Sequence, residues 1–239
     1  MSRVTVLWGP PAGGQLQLGA WISSYLADKD NASMLVDVNA MVPALPILFP
    51  GKRTEQSLGS LLAEVTISQD EILKNTVTMK KQENLGVLAY GLGENAQTYA
   101  EYTEQKVLDL IVQLRHTVDH IVIICDPDGA KGVFTEVAWK QADTIIQVCR
   151  AKLETVSYFS SQTPLLPPVS DRQRHLKFLW SERNAPVNEI KDALGGTVHV
   201  QPLTEEAVAR FESGAAFDVP GKKAEARAFA AFMGEVKGE

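Results

Sequence analysis

The sequence predicts a three-layer α/β fold, in which a mostly parallel central sheet carries helices on both faces. Strand-like and helix-like segments alternate along the chain, and this order produces parallel strands joined by covering helices. The strongest strand, residues 120–125, is an apolar β-branched run of the kind found at the centre of a parallel sheet. The 239 residues are expected to form a single domain, 1–239, because too little chain follows the Pro-rich segment 163–168 for a second core.

Local patterns predict the elements of the first half. Residues 4–8 are a short apolar strand, and residues 15–27 form the following helix because their apolar positions recur at helical spacing. Ser68 and Glu71 match a capping box at the start of a helix over 69–75. The other elements predicted before residue 126 are strands at 34–38, 85–90 and 120–125 and helices at 54–62 and 99–114.

The same alternation continues through the second half of the chain. The Pro-rich segment 163–168 is predicted to be a surface loop within it. The predicted strands are 144–149, 176–180 and 197–201, and the predicted helices are 134–141, 187–194, 204–212 and 223–236.

Composition excludes several classes of function. The net charge of −6 lacks the basic excess of a nucleic-acid-binding protein, so no specific nucleic-acid partner is predicted. Cys125 and Cys149 both end apolar runs, which favours buried thiols in a reducing compartment. No window reaches about 18 uninterrupted apolar residues, and no signal-peptide pattern is present. These observations together predict a cytoplasmic protein.

A glycine-rich loop follows the first strand. It has the spacing of the phosphate-binding motif G-x-x-x-x-G-K-[ST], with Gly9 and Gly14 at the two glycine positions. Gln15 stands where the motif has lysine, and Leu16 stands where it has the hydroxyl that binds Mg²⁺. The candidate nucleotide-binding residues are Gly9, Pro10, Pro11, Ala12, Gly13, Gly14, Gln15, Leu16 and Gln17.

This loop is weakened in several ways at once. A hydrogen bond from a charged group contributes about 1.5–3 kcal/mol, against about 0.5–1.5 kcal/mol for the neutral amide of Gln15. Leu16 cannot ligate a metal, and Pro10 and Pro11 each lack a backbone N–H. The glycine spacing and the helix N-terminus still favour anions. We therefore expect no firmly bound cofactor, with ATP and Mg²⁺ held weakly at most.

Five segments taken in order resemble the MinD/ParA family of P-loop ATPases over nearly the whole chain. The segments are the loop 9–17, the strand ending in Asp37-Val38-Asn39, the strand ending in Asp126, the segment 142–148 and the strand–proline–helix ending around Pro202. The resemblance implies a P-loop NTPase fold.

The resemblance also implies roles for two acids. Asp37 matches the residue that handles the attacking water, so it is the candidate catalytic residue if the protein is active. Asp126 matches the Walker B acid near Mg²⁺ and is the candidate metal ligand. Alternatively, both acids simply end strands, where a carboxylate accepts hydrogen bonds from loop N–H groups. Pro10 occupies the position of a second family lysine that reaches across a dimer to the partner's nucleotide.

Two functions follow from this pattern. The first is a non-hydrolysing positioning or scaffold factor, and the start of the loop resembles the CpaE/TadZ group that positions pilus or secretion machinery. The alternative is an active, atypical ATPase acting as a localisation or partition switch. Its missing charge would then come from Lys52, Arg53, Lys131 or another subunit.

The resemblance further implies a homodimer with protein partners of a pilus, secretion or cell-division type. The C-terminal segment 224–236 carries an apolar face, which has two interpretations. The favoured one is a helix packed on its own domain. The other is a peripheral contact with the inner face of the membrane.

Overall fold

The computed structural model describes residues 2–48, 57–79, 82–127, 132–221 and 223–238. One sheet contains its eight strands: β1 (Arg3–Trp8), β2 (Ser33–Asp37), β3 (Val77–Met79), β4 (Gln82–Ala89), β5 (His120–Ile124), β6 (Thr144–Arg150), β7 (Arg174–Ser181) and β8 (His199–Pro202). Their spatial order is β3-β4-β2-β5-β1-β6-β7-β8, and only the β3–β4 pair is antiparallel. The predicted α/β fold class is confirmed.

Helices cover both faces of the sheet. They are α1 (Gln15–Leu26), α2 (Leu45–Leu48), α3 (Leu58–Ala63), α4 (Gln69–Asn75), α5 (Glu104–Thr117), α6 (Val133–Gln141), α7 (Leu153–Gln162), α8 (Val187–Leu194), α9 (Glu205–Glu212) and α10 (Lys223–Lys237). Side chains alternate across β1, so Val6 and Trp8 enter one core cluster while Leu7 enters the other. The first cluster packs against α3 to α8, and the second packs against α1, α2, α9 and α10.

Several elements of the structure differ from the sequence predictions. Helix α2 was not predicted, since its four residues are too few to show a helical period. Helix α5 begins at Glu104 rather than at residue 99, because the Thr103 side chain accepts a hydrogen bond from the Lys106 N–H and caps the helix there. Strand β3 was not predicted, since three residues are too few to show a period. Helix α7 was also missed, because only Thr155 and Phe159 on it are buried and no apolar stripe marks it.

Part of one prediction lies outside the described residues. The predicted helix 54–62 includes positions 54–56, and its described portion is α3 from Leu58. Ser57 caps α3: its hydroxyl accepts the Ser60 N–H, and the Ser60 hydroxyl in turn accepts the Ser57 N–H. This reciprocal pair fixes where the described helix starts.

Helix α10 packs on its own domain. Its apolar residues Phe229, Phe232 and Met233 are buried in the second core cluster with α1 and β7. At its C-terminus, guanidinium groups of Arg3 and Arg174 donate to carbonyl oxygens of the last turn. The apolar face that could have contacted a membrane is therefore already covered. In the described part of the chain, none of the helices combines the length and apolarity that crossing a bilayer requires.

Candidate functional site

Four neighbouring strands end at one edge of the sheet and bring the predicted site residues together. Leu7 of β1 and Asp37 of β2 both lie opposite Ile124 of β5, and Trp8 lies opposite Gln147 of β6. All of these strands are parallel, so their carboxyl ends meet where ligands of open α/β sheets bind. The residues brought to this edge are Gly9, Asp37, Asp126 and Arg150.

The first half of the loop is shaped by close backbone contacts. A Cβ on Gly9 would lie 1.8 Å from the Val148 carbonyl oxygen of β6, so only glycine fits at this position. The next residues form a tight turn in which the Gly13 N–H donates to the Pro10 carbonyl at 2.9 Å. The Gly13 N–H is thus bonded within the loop. Pro10 and Pro11 have no N–H at all, so three backbone positions of the loop offer no free donor.

Gln15 folds back into its own loop. Its side-chain Nε2 donates to the same Pro10 carbonyl at 2.8 Å, and the residue is 6% exposed. The amide lies close to two of the three loop glycines, because Cβ atoms on Gly9 and Gly13 would come within 3.0 and 3.1 Å of it. Gln15 therefore donates a hydrogen bond within its own loop, and it brings no charge to the position of the motif's lysine.

Helix α1 supplies the remaining donors of the loop. Its N-cap residue is Gly14, whose φ of 90° is a left-handed conformation that favours glycine. The N–H groups of Gln15, Leu16 and Gln17 occupy the first turn, where no intrahelical acceptor exists. Some attraction for an anion therefore remains at this helix N-terminus.

A cavity of about 670 Å³ opens beside the loop. Its walls come from the loop, the segment after β2, the ends of β5 and β6, α7 and α9. Apolar side chains contribute much of the lining, including Leu16, Met41, Val42, Val208 and Phe211. Charged lining residues are Asp37, Asp126, Arg150 and Glu212. The described lining thus contains three acids and one base, which disfavours a polyanionic ligand.

Asp37 is a buried carboxyl group at the end of β2. It is 3% exposed, and burial raises its pKa to about 7, with the nearby negative charge of Asp126 adding to the increase. A hydrogen bond from the Asn39 N–H, 3.1 Å from Oδ1, acts in the opposite direction. A group with this pKa can gain or lose a proton near neutral pH.

Asn39 shapes the loop after Asp37. Its side-chain Oδ1 accepts hydrogen bonds from the N–H groups of Met41 and Val42, both at 3.0 Å. This Asx-type turn presents two apolar side chains at the mouth of the cavity, where Met41 is 77% exposed. Asn39 thus stabilises the turn by accepting hydrogen bonds from the backbone. The pattern of the MinD/ParA family has a second acid at this position.

Comparison with solved structures identifies the architecture. A ParA family ATPase from Chlorobium tepidum superimposes with a TM-score of 0.74 at 17% identity, covering 95% of each chain. MinD from Pyrococcus horikoshii, complexed with Mg-ADP, gives a TM-score of 0.73 at 17% identity, covering 99% of this chain and 96% of that one. The chain has the MinD/ParA-like P-loop ATPase fold. No protein-family model and no curated protein matches it.

A third structure with the MinD/ParA-like fold includes a protein partner. It is the MinC:MinD cell division complex of Aquifex aeolicus, with a TM-score of 0.75 and 16% identity, covering 100% of this chain and 97% of that one. Identities this low establish the fold, and the site has to be judged from its own residues.

The loop lacks the lysine and the hydroxyl of the phosphate-binding motif at positions 15 and 16. Leu16 lines the cavity at the position where the motif supplies an oxygen ligand, and Gln15 is bonded inside the loop. Among the described residues, no cluster of three or more His, Cys, Asp or Glu side chains is arranged to hold a metal ion. Asp37 and Asp126 both line the cavity and offer carboxylate oxygens, whereas Leu16 offers none. The proposed charge donors Lys52, Arg53 and Lys131 lie outside the described residues.

Arg150 was not predicted as a site residue. It is the last residue of β6 and the only cation among the described lining residues, and its guanidinium lies 3.5 Å from the Glu182 carboxylate. The signal was present in the sequence, since a basic residue at the end of a strand beside β1 must lie at the site edge of a parallel sheet. The sequence does not show that β6 pairs with β1, so it could not place Arg150 beside the loop.

Two site residues of α7, Tyr158 and Gln162, were not predicted because the helix itself was not predicted. The Tyr158 hydroxyl donates to the Pro127 carbonyl at 2.6 Å, which joins α7 to the segment after β5. The Tyr158 ring also packs on Trp8, directly before the loop, with ring centroids 5.4 Å apart. Gln162 lines the cavity one turn further along the helix. This wall of the cavity is therefore built by residues that carry no recognisable motif.

The two cysteines are structural, as the sequence indicated. Cys125 and Cys149 are buried, and burial raises the pKa of each thiol to about 12. Neither forms a reactive thiolate near neutral pH.

Proposed function

We propose that this protein is a non-hydrolysing positioning or scaffold factor with the MinD/ParA-like fold. The observation that carries the proposal is the hydrogen bond from the Gln15 amide to the Pro10 carbonyl at 2.8 Å. The side chain at the lysine position is uncharged and donates a hydrogen bond inside the loop, so it stabilises the negative charge of a transition state less than lysine would. Leu16 has no oxygen to ligate a metal, so the residues at positions 15 and 16 both weaken the binding of ATP·Mg²⁺.

The first test restores the missing groups. Wild-type protein is expected to show no ATP turnover and at most weak ATP·Mg²⁺ binding by calorimetry. The double variant Gln15→Lys/Leu16→Thr should bind at least about tenfold more tightly, because a charged hydrogen bond is about 1.4 kcal/mol stronger than a neutral one. Circular dichroism checks that the variant is folded.

A matched control adds the same charge elsewhere. Gln105→Lys on the exposed surface of α5 changes the net charge equally and should leave ATP binding unchanged. Micromolar ATP·Mg²⁺ affinity of the wild type, or turnover that Asp126→Ala abolishes, would contradict the proposal.

A second candidate function is an active ATPase with its charge supplied by another residue. Arg150 favours it, because its guanidinium lines the same cavity as the first turn of α1. Under this alternative, Arg150→Gln should abolish ATP binding and turnover together. Under the scaffold proposal, the wild type does not hydrolyse ATP, so Arg150→Gln should show the same absence of turnover. Phosphate release measured for the wild type and Arg150→Gln separates the two functions.

We further propose that the scaffold acts as a homodimer on a partner of a pilus, secretion or cell-division type. The MinD relative of Aquifex aeolicus forms a complex with MinC, which supports a protein partner for this fold. A cytoplasmic position, with recruitment to the membrane through that partner, agrees with the buried apolar face of α10.

Dimerisation should not depend on nucleotide. Because the loop closes on itself without a ligand, analytical ultracentrifugation is expected to give a dimer in the absence of ATP and the same dimer in its presence. A monomer under both conditions would contradict the scaffold-dimer proposal.

A further inference from the structure

Trp180 of β7 contacts the glycine-rich loop 9–17 at Gly14. The residue is fully buried, at 0% exposure, and its indole Nε1 donates to the Gly14 carbonyl at 3.3 Å. The same carbonyl accepts the first hydrogen bond of α1, from the Leu18 N–H at 3.1 Å. Trp180 therefore contacts the peptide group that joins the loop to its helix.

The indole ring also occupies the space beside Gly14 that a side chain would need. A Cβ on Gly14 would lie 2.3 Å from Nε1 and 2.5 Å from Cδ1 of Trp180. Glycine is required here for two independent reasons, the left-handed φ of 90° and the tryptophan. The loop and the tryptophan thus fit each other at van der Waals distance.

Aromatic neighbours hold the indole in place. Its ring lies 5.1 Å from Trp21 on α1 and 5.0 Å from Phe178 on its own strand, centroid to centroid. Trp21 in turn packs on Phe229 of α10 at 5.6 Å. Edge-on aromatic packing of this kind leaves few rotamers, so Trp180 presents a fixed surface to Gly14.

We infer that Trp180 is a positioning residue for the phosphate-binding loop, acting through Gly14. It sets the orientation of the Gly14 peptide, and through it the direction of the first-turn N–H groups and of the Gln15 side chain. This role is independent of the proposed function, because it concerns the shape of the loop whether or not ATP binds.

Amide hydrogen exchange by NMR tests this inference on the full chain. The variant Trp180→Phe keeps an aromatic ring and removes the indole N–H. The amides of Gly13 and Leu18, both bonded inside the loop region, should then exchange about tenfold faster, because local opening becomes easier. A general loss of stability would instead raise exchange throughout the core.

Trp139→Phe provides the matched control. Trp139 is also buried and donates its Nε1 to a backbone carbonyl, that of Pro167, at 3.0 Å, but it belongs to the first core cluster. This variant should leave Gly13 and Leu18 exchange unchanged. Unchanged exchange in Trp180→Phe, or an equal increase in both variants, would overturn the inference.

A measurement on the wild type covers the case in which Trp180→Phe does not fold. The indole N–H of Trp180 is buried and bonded, so its exchange should be at least about tenfold slower than that of a free indole. Exchange at the free rate would overturn the inference. Calorimetry with ATP·Mg²⁺ on the same sample tests the proposed function separately, so the two results are distinguishable.

Discussion

Replacing Gly9 with alanine is expected to lower the free energy of unfolding by about 3 kcal/mol, because overpacking against a rigid neighbour costs this much. The added Cβ would lie 1.8 Å from the Val148 carbonyl oxygen. That oxygen belongs to β6, which is paired on both sides with β1 and β7, so it cannot yield without disturbing the centre of the sheet. Urea denaturation at neutral pH measures the change.

The control for Gly9→Ala is the same substitution where there is room. Gly234 lies in α10, and a Cβ added to it would meet no atom within 4 Å. Gly234→Ala should therefore stabilise the protein slightly, by up to about 1 kcal/mol, because alanine favours helix. Equal unfolding midpoints for the two variants would show that the contact with Val148 is not the cause.

Replacing Asp37 with asparagine is expected to stabilise the protein by roughly 4 kcal/mol above pH 7, the free energy that corresponds to its pKa shift. The pKa rises from 3.8 in the unfolded chain to about 7 in the folded one, since burial disfavours the ionised form. The stability penalty is therefore absent below pH 3.8, grows as pH rises from 3.8 to about 7, and is constant above that pH. Asparagine carries no such penalty at any pH.

Urea denaturation of wild type and Asp37→Asn at pH 4 and pH 8 tests whether the stabilisation by asparagine increases with pH. The stabilisation should be large at pH 8 and small at pH 4. Asp171→Asn, at an exposed position, is the matched control and should give the same small change at both values. A gain for Asp37→Asn that does not vary with pH would contradict the assignment of the penalty to this carboxyl group.

The fold could be predicted from the sequence because its signals are local and repeated. The apolar run of β5 and the loop at Gly9 and Gly14 each identify a position in a parallel sheet. Although the sequence predicted no strand order, the placement of Asp37 and Asp126 at one edge also followed. These residues end strands, and strand ends are what a parallel sheet brings together.

The rest of the site could not be predicted, because it depends on tertiary neighbours. Tyr158 lies on a helix with two buried residues and no amphipathic stripe. Trp180 appeared only as the end of an apolar strand, and its contact with Gly14 spans 166 residues of sequence. The direction of the Gln15 side chain was equally hidden, since the sequence shows only that the lysine is missing and not where the glutamine amide bonds.

The Pro10 carbonyl, which accepts from both the Gly13 N–H and the Gln15 amide, limits what a single substitution at position 15 can restore. A variant with lysine alone at position 15 would place a charge where the glutamine is 6% exposed and would remove the hydrogen bond that the glutamine amide donates. It would still lack a metal ligand at position 16. Under the proposed function, a substitution at position 15 alone lowers the stability of the loop without supplying both missing groups, so the two positions have to change together.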